Sequence, residues 1–258
     1  MDWILSFFTG SDPWILLALF LLGVGGFIFS TLAGGGGALV LLPLVNTLLG
    51  AQYTAPVLNL GNLIGRPARL FLYWKHIHWR ICAFYVVPAL LGAWAGAWMF
   101  GQLKIEFLQL LIGGFLVSTL FQYRMGRRAR SFSMPDAGFA PLGFVISFLG
   151  TLVGAMGPVL NPFYMNAGLE KEELIGTKTA NSFFMGLGQL SGYSFFGLLE
   201  GVYWGYGIAL GAGAILGNIL GKKILSRITV SGFRILLLLF MVLSGGMLIY
   251  SALFSLLG

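Results

Sequence analysis

The chain has 258 residues, of which 58% are hydrophobic and only 9% charged, with a formal net charge of +7. Its mean hydropathy is +0.90. Soluble domains carry about 25% charged residues, so a water-soluble globular protein is excluded. Successive apolar runs of roughly twenty residues indicate an all-α polytopic membrane protein.

The basic excess does not point to nucleic acid. Lys and Arg fall in short clusters between apolar runs, the pattern of cytoplasmic loops facing an anionic leaflet. The single cysteine, Cys82, excludes an internal disulfide and any multi-cysteine metal site. It is expected to pack as a small hydrophobe. The first residues, MDWILSFF, lack a basic n-region, so no cleaved signal peptide is expected.

The first apolar run covers 13–32. Ser11 or Asp12 can cap it, and Pro13 suits its first turn. Four glycines follow, Gly34, Gly35, Gly36 and Gly37, which no unsupported helix tolerates. The next run, 38–49, is interrupted by Pro43. At about 1.5 Å per residue it is too short for a hydrocarbon core of about 30 Å. The pair therefore reads as a broken or re-entrant hairpin, its break lined by protein or water.

A third run, 55–74, contains Arg66 and ends in Lys75, His76, His78 and Arg80. The fourth, 81–100, carries the small-xxx-small pair Gly92 and Gly96, which lets helices approach closely. The fifth is 107–123, followed by a polar linker with Arg124, Arg127, Arg128 and Arg130.

The pattern then repeats. GFIFS from Gly26 resembles GFVIS from Gly143, and the glycine break answers to Gly154, Gly157 and Pro158. Pro43 answers to Pro162, Asn59 to Asn181, Trp79 to Trp204, Gly92 to Gly217, Gly96 to Gly221 and Val117 to Val242. The expected organisation is a first membrane repeat at 1–123, a basic cytoplasmic linker at 124–136 and a second repeat at 137–258. Each repeat has about five helical segments, the first two forming the broken hairpin.

Placing the basic loops in the cytoplasm gives each repeat an odd number of net crossings, so the repeats are inverted and both termini lie outside. Between six and ten crossings are compatible with this parity. The inversion brings the two broken hairpins together at mid-depth, where free N–H groups at helix starts favour anions. Beside them the third runs bring Asn59, Asn62 and Arg66 from one half and Lys178, Thr179, Asn181 and Gln189 from the other. Asn161 comes from the second hairpin. A guanidinium in hydrocarbon costs roughly 2.5–3.5 kcal/mol on insertion scales, so it is kept for a partner or a wet cavity. Competing readings have Arg66 and Arg69 reaching lipid headgroups and Lys178 serving as a flank residue. The amides would then only join helices.

All eight acidic residues fall in or near loops. A membrane cation site needs buried carboxylates or carbonyl cages, so the cargo should be an anion. His76 and His78 sit in a basic loop as anchors rather than catalysts. Without a nucleophile–base pair the chain is not expected to be an enzyme, and no cofactor or metal is called for.

These residues resemble the sulfite exporter TauE/SafE family of membrane permeases. The likeness rests on GGGGALVLLP at 34–43, on Gly65-Arg66-Pro67, and on GTKTAN at 176–181. It implies a bacterial inner-membrane transporter exporting sulfite, an organosulfonate such as sulfoacetate, or a related anion. Alternating access would take place around Arg66, with Gly35, Gly36 and Gly37 donating backbone N–H groups and Asn59 and Asn181 completing the shell. Expected partners are the small anion and membrane lipid, with no nucleic acid; a homodimer stays open. A channel or importer of small organic anions with the same fold is the alternative. An intramembrane lipid-phosphate enzyme is the more distant one.

Overall fold

The computed structural model describes residues 10–32, 37–125, 133–154, 156–169, 171–224 and 231–257. Among these every regular element is helical. Helix α1 (Pro13–Leu32) covers the first apolar run residue for residue. Its cap is Asp12, whose Oδ1 accepts from the Trp14 amide at 2.8 Å. Helix α2 (Gly37–Leu49) holds Pro43 internally. The break at Gly35 and Gly36 lies outside the described residues.

The third run departs from expectation. Instead of one helix at 55–74 there are two, α3 (Ala51–Gly65) and α4 (Pro67–Leu72), with Arg66 at the joint. Pro67 cannot donate to the α3 ladder and takes the first position of the new helix. The Gly65 carbonyl left over by the break accepts from Asn218 Nδ2 at 3.1 Å, as a helix end requires.

Then come α5 (Trp79–Gln102), α6 (Ile105–Met125) and α7 (Phe139–Val153). Gly154, at φ +90°, ends α7 in the left-handed region. A short 3-10 turn (Gly157–Leu160) leads to α8 (Asn161–Asn166). Helix α9 (Lys171–Phe195) is followed by α10 (Val202–Ile224) and α11 (Ser231–Leu257). Among the described residues four helices are long and apolar enough to cross a membrane, namely those at Pro13–Ser30, Trp79–Gln102, Asp136–Val153 and Val202–Gly221.

The five most extensive pairings are α1 with α10, α5 with α7, α6 with α11, α3 with α10 and α5 with α9. Each joins an element from 1–123 to one from 137–258. Glycine makes the closest of them possible. Gly213 and Gly217 of α10 rest on the Phe20 and Val24 carbonyls of α1. Gly92 and Gly96 of α5 rest on the Phe144 and Phe148 carbonyls of α7. Both pairs advance in step, so each helix pair runs parallel. Helices α6 and α11 cross where Gly113 and Gly245 each face the other's carbonyl.

The outer surface is the converse. Phe84, Val87, Leu91, Trp94 and Trp98 form one exposed stripe of α5, while Ala89, Ala93 and Ala97 are buried. Without a hydrophobic drive between helices in lipid, close packing of small residues does the holding.

The ends of the elements gather into two groups. At one end Arg80 pairs with Asp136 at 3.2 Å, the Met134 amide donates to the Asn166 carbonyl, and the His78 amide donates to Thr177 Oγ1. At the other, the Asp12 amide donates to the Tyr206 hydroxyl, and Tyr53 stacks on Tyr203 with centroids 3.5 Å apart.

Candidate functional site: a cationic crossing of two helices

Helices α3 and α9 meet in the interior, and both are polar there. Thr177, Asn181 and Gln189 of α9 are fully buried, with Thr179 nearly so, and Asn59 and Asn62 of α3 are buried too. Burial of such groups is tolerated only when they are hydrogen-bonded, and most of them are.

Arg66 Nη1 donates to the main-chain carbonyl of Ser182 at 2.7 Å. The guanidinium therefore points into the protein, against α9. Gly186 makes room for it, since a Cβ there would lie 2.8 Å from Nη1. One turn before Ser182, Lys178 Nζ donates to Asn161 Oδ1 at 2.6 Å. Lys178 and Ser182 share a helix face, and the charges of Arg66 and Arg69 both bear on the Lys178 ammonium. Arg69 Nη2 donates to Asn218 Oδ1 at 3.2 Å, which turns it toward α10. Among the described residues the ion pair is Arg80–Asp136, which includes neither Arg66 nor Lys178.

Of the remaining predicted residues, Asn181, Asn59 and Gln189 fall into this cluster or a neighbouring one, while Asn62 and Thr179 are buried on the same two helices. Asn181 Nδ2 donates to the Tyr164 hydroxyl at 2.8 Å, beside Lys178 and Asn161. Asn59 sits two turns before Arg66, about 10 Å along the helix at 1.5 Å per residue. Its amide donates to the Tyr193 hydroxyl at 3.0 Å and the Gly150 carbonyl at 3.5 Å. Tyr193 in turn donates to the Thr151 carbonyl, and Gln189 Nε2 reaches Thr151 Oγ1 at 3.2 Å. Arg66, Lys178, Asn161 and Asn181 are thus brought together, while Asn59 and Gln189 belong to a neighbouring neutral network. Gly37 is the first residue of α2, and Gly35 and Gly36 are outside the described residues.

Sequence reasoning missed Tyr164, Tyr193, Thr151 and Ser182. The two matched asparagines each donate to a tyrosine hydroxyl, and Tyr193 lies one turn after Gln189 on α9. A tyrosine within an amide-bearing helix face was the available signal, because a buried hydroxyl seeks a partner. Ser147 Oγ, Asn181 Oδ1 and Gln189 Oε1 are buried without a partner among the described residues. Those residues also contain no group of three or more His, Cys, Asp or Glu able to hold a metal ion.

A bundle of apolar helices wrapped around a buried cationic crossing has the build of a membrane transporter. The family model for "Sulfite exporter TauE/SafE" matches residues 19–248. The chain belongs to that family. It is also similar to a Bacillus subtilis (strain 168) protein described as "Probable membrane transporter protein YtnM", 29% identical over 141 residues. That match covers 51% of this chain and 47% of the other, so it spans about half the length of the relative. No solved structure matches the chain.

Proposed function

We propose that the protein exports a small sulfur-containing anion, sulfite or an organosulfonate such as sulfoacetate, by alternating access around Arg66. The observation that carries this reading is the Arg66 guanidinium turned onto the Ser182 carbonyl, with Lys178 close by and no carboxylate paired to either among the described residues. A carbonyl oxygen satisfies a hydrogen bond and leaves the charge unmatched. An oxyanion offers a better partner, and a planar fork can grip two of its oxygens.

The inverted arrangement draws support from the helix pairings. Exchanging the halves turns the α1–α10 pair into α7–α5, and returns α6–α11 and α3–α9 to themselves. The two hairpins also begin and end at opposite ends of the bundle. Residues 12 and 53 meet the start of α10 at one end. Residues 134, 136 and 166 meet the start of α5 and each other at the opposite end. In this reading Lys75, Arg80 and the linker face the cytoplasm of a bacterial inner membrane, and both termini face outward. Rocking of the α1–α10 and α5–α7 pairs would open the crossing to each side in turn. Anion export from a negative interior is downhill by about 2.3 kcal/mol per charge per 100 mV, so no coupling ion is required.

The test is flux of sulfite and sulfoacetate from proteoliposomes holding the purified protein. Saturable flux that Arg66→Ala removes supports the reading. Flux unchanged by that substitution refutes it.

A further inference from the structure

We propose that the cargo carries at least two negative charges, one matched to Arg66 and one to Lys178, so that Lys178 sets a preference for dianions. This rests on the anion-transport reading above and concerns the charge the site demands.

The two cations approach from different elements and converge on one face of α9. Arg66 comes from the α3–α4 joint and reaches the Ser182 carbonyl at 2.7 Å. Lys178 lies one turn earlier on α9 and reaches Asn161 Oδ1 at 2.6 Å. A turn is about 5.4 Å, the span of a small molecule with two charged ends or of one tetrahedral dianion. Each cation holds a neutral oxygen, so hydrogen bonding is satisfied while no carboxylate among the described residues offsets either group. Asp12, Glu106, Asp136, Glu172, Glu173 and Glu200 lie at or beyond the ends of their helices. None of them pairs with Arg66 or Lys178.

Like charges repel strongly where the dielectric is low, and each buried ion also loses hydration. A monoanion would leave one positive charge unmatched in the occluded site. A dianion removes the excess and turns the repulsion between the cations into attraction for cargo.

The experiment compares anions of similar size and unequal charge in proteoliposomes at pH 7, where sulfoacetate and sulfate are both dianions. Sulfoacetate carries two charges and hydroxyethanesulfonate one; sulfate against methanesulfonate repeats the comparison with smaller probes. The wild-type protein is expected to favour the dianion by at least about tenfold at low concentration, a modest return on one added charge pair. Lys178→Gln is expected to bring the two rates within about threefold, and Lys178→Arg to keep the preference. Equal rates in the wild type overturn the inference, as does a Lys178→Gln protein that keeps the preference. If Lys178→Gln fails to elute as a single species in detergent, the wild-type ratio and the Lys178→Arg protein decide alone. Failure of the underlying reading looks different. In that case neither anion is carried, or Arg66→Ala carries both as well as the wild type does.

Discussion

The guanidinium of Arg66 donates to the main-chain carbonyl of Ser182, which joins the break between α3 and α4 to the middle of α9 across more than a hundred residues of chain. The contact depends on two local accidents of sequence. Pro67 stops α3 at the right place, and Gly186 leaves the space that Nη1 occupies.

Replacing Arg66 by alanine is expected to lower anion flux at least about a hundredfold, since a buried hydrogen-bonded charge pair is worth several kcal/mol. Arg66→Lys should recover a minority of it, because a point charge replaces a planar fork. Flux assays on protein of equal liposome content check both.

Gly186→Ala tests position rather than charge. Its Cβ would press on the far end of a flexible side chain, 2.8 Å away. The thermal midpoint in detergent should move little while flux falls about tenfold, as expected when a group is displaced by a fraction of an ångström or more. A large loss of stability with normal residual flux would contradict this.

Gly92→Ala should behave in the opposite manner. The new methyl meets the Phe144 main chain, which cannot rotate away. Overpacking of this kind costs about 1–3 kcal/mol, so unfolding in detergent should shift to lower temperature before any effect specific to cargo appears.

Tyr193→Phe removes the hydroxyl shared by Asn59 and the Thr151 carbonyl. Leaving these groups short of a partner costs about 1–3 kcal/mol. Denaturant titration should register that loss, whereas the dianion preference should be unchanged, because the network lies two turns of α3 from Arg66.

Topology is open to cysteine labelling, since the native Cys82 is buried. A cysteine at Glu200 or Ser255 should react with an impermeant maleimide added to intact cells, and one at Lys75 should not. Protection of Glu200→Cys and Ser255→Cys, together with labelling of Lys75→Cys, would reverse the orientation proposed here.

The helical class, the span of α1, its cap at Ser11 or Asp12 and the family were all legible in the chain, and the Trp14 amide bond then picks Asp12. So was the placing of acidic residues near helix ends. These follow from composition and local chemistry, which act over a few residues. The prediction of one helix at 55–74 failed because Pro67 outweighed the apolar run around it.

What the order of residues determined by itself is a set of apolar helices, their breaks, and a few polar groups too costly to leave in lipid. Only the tertiary structure decided which of those groups meet. It set Arg66 against the Ser182 carbonyl, one turn from Lys178 on α9, and placed Asn59 with Tyr193 instead. Hydropathy is a one-dimensional quantity, whereas hydrogen-bond partners depend on which backbones come close enough to touch. In this protein that approach is governed by glycines facing carbonyls of another helix.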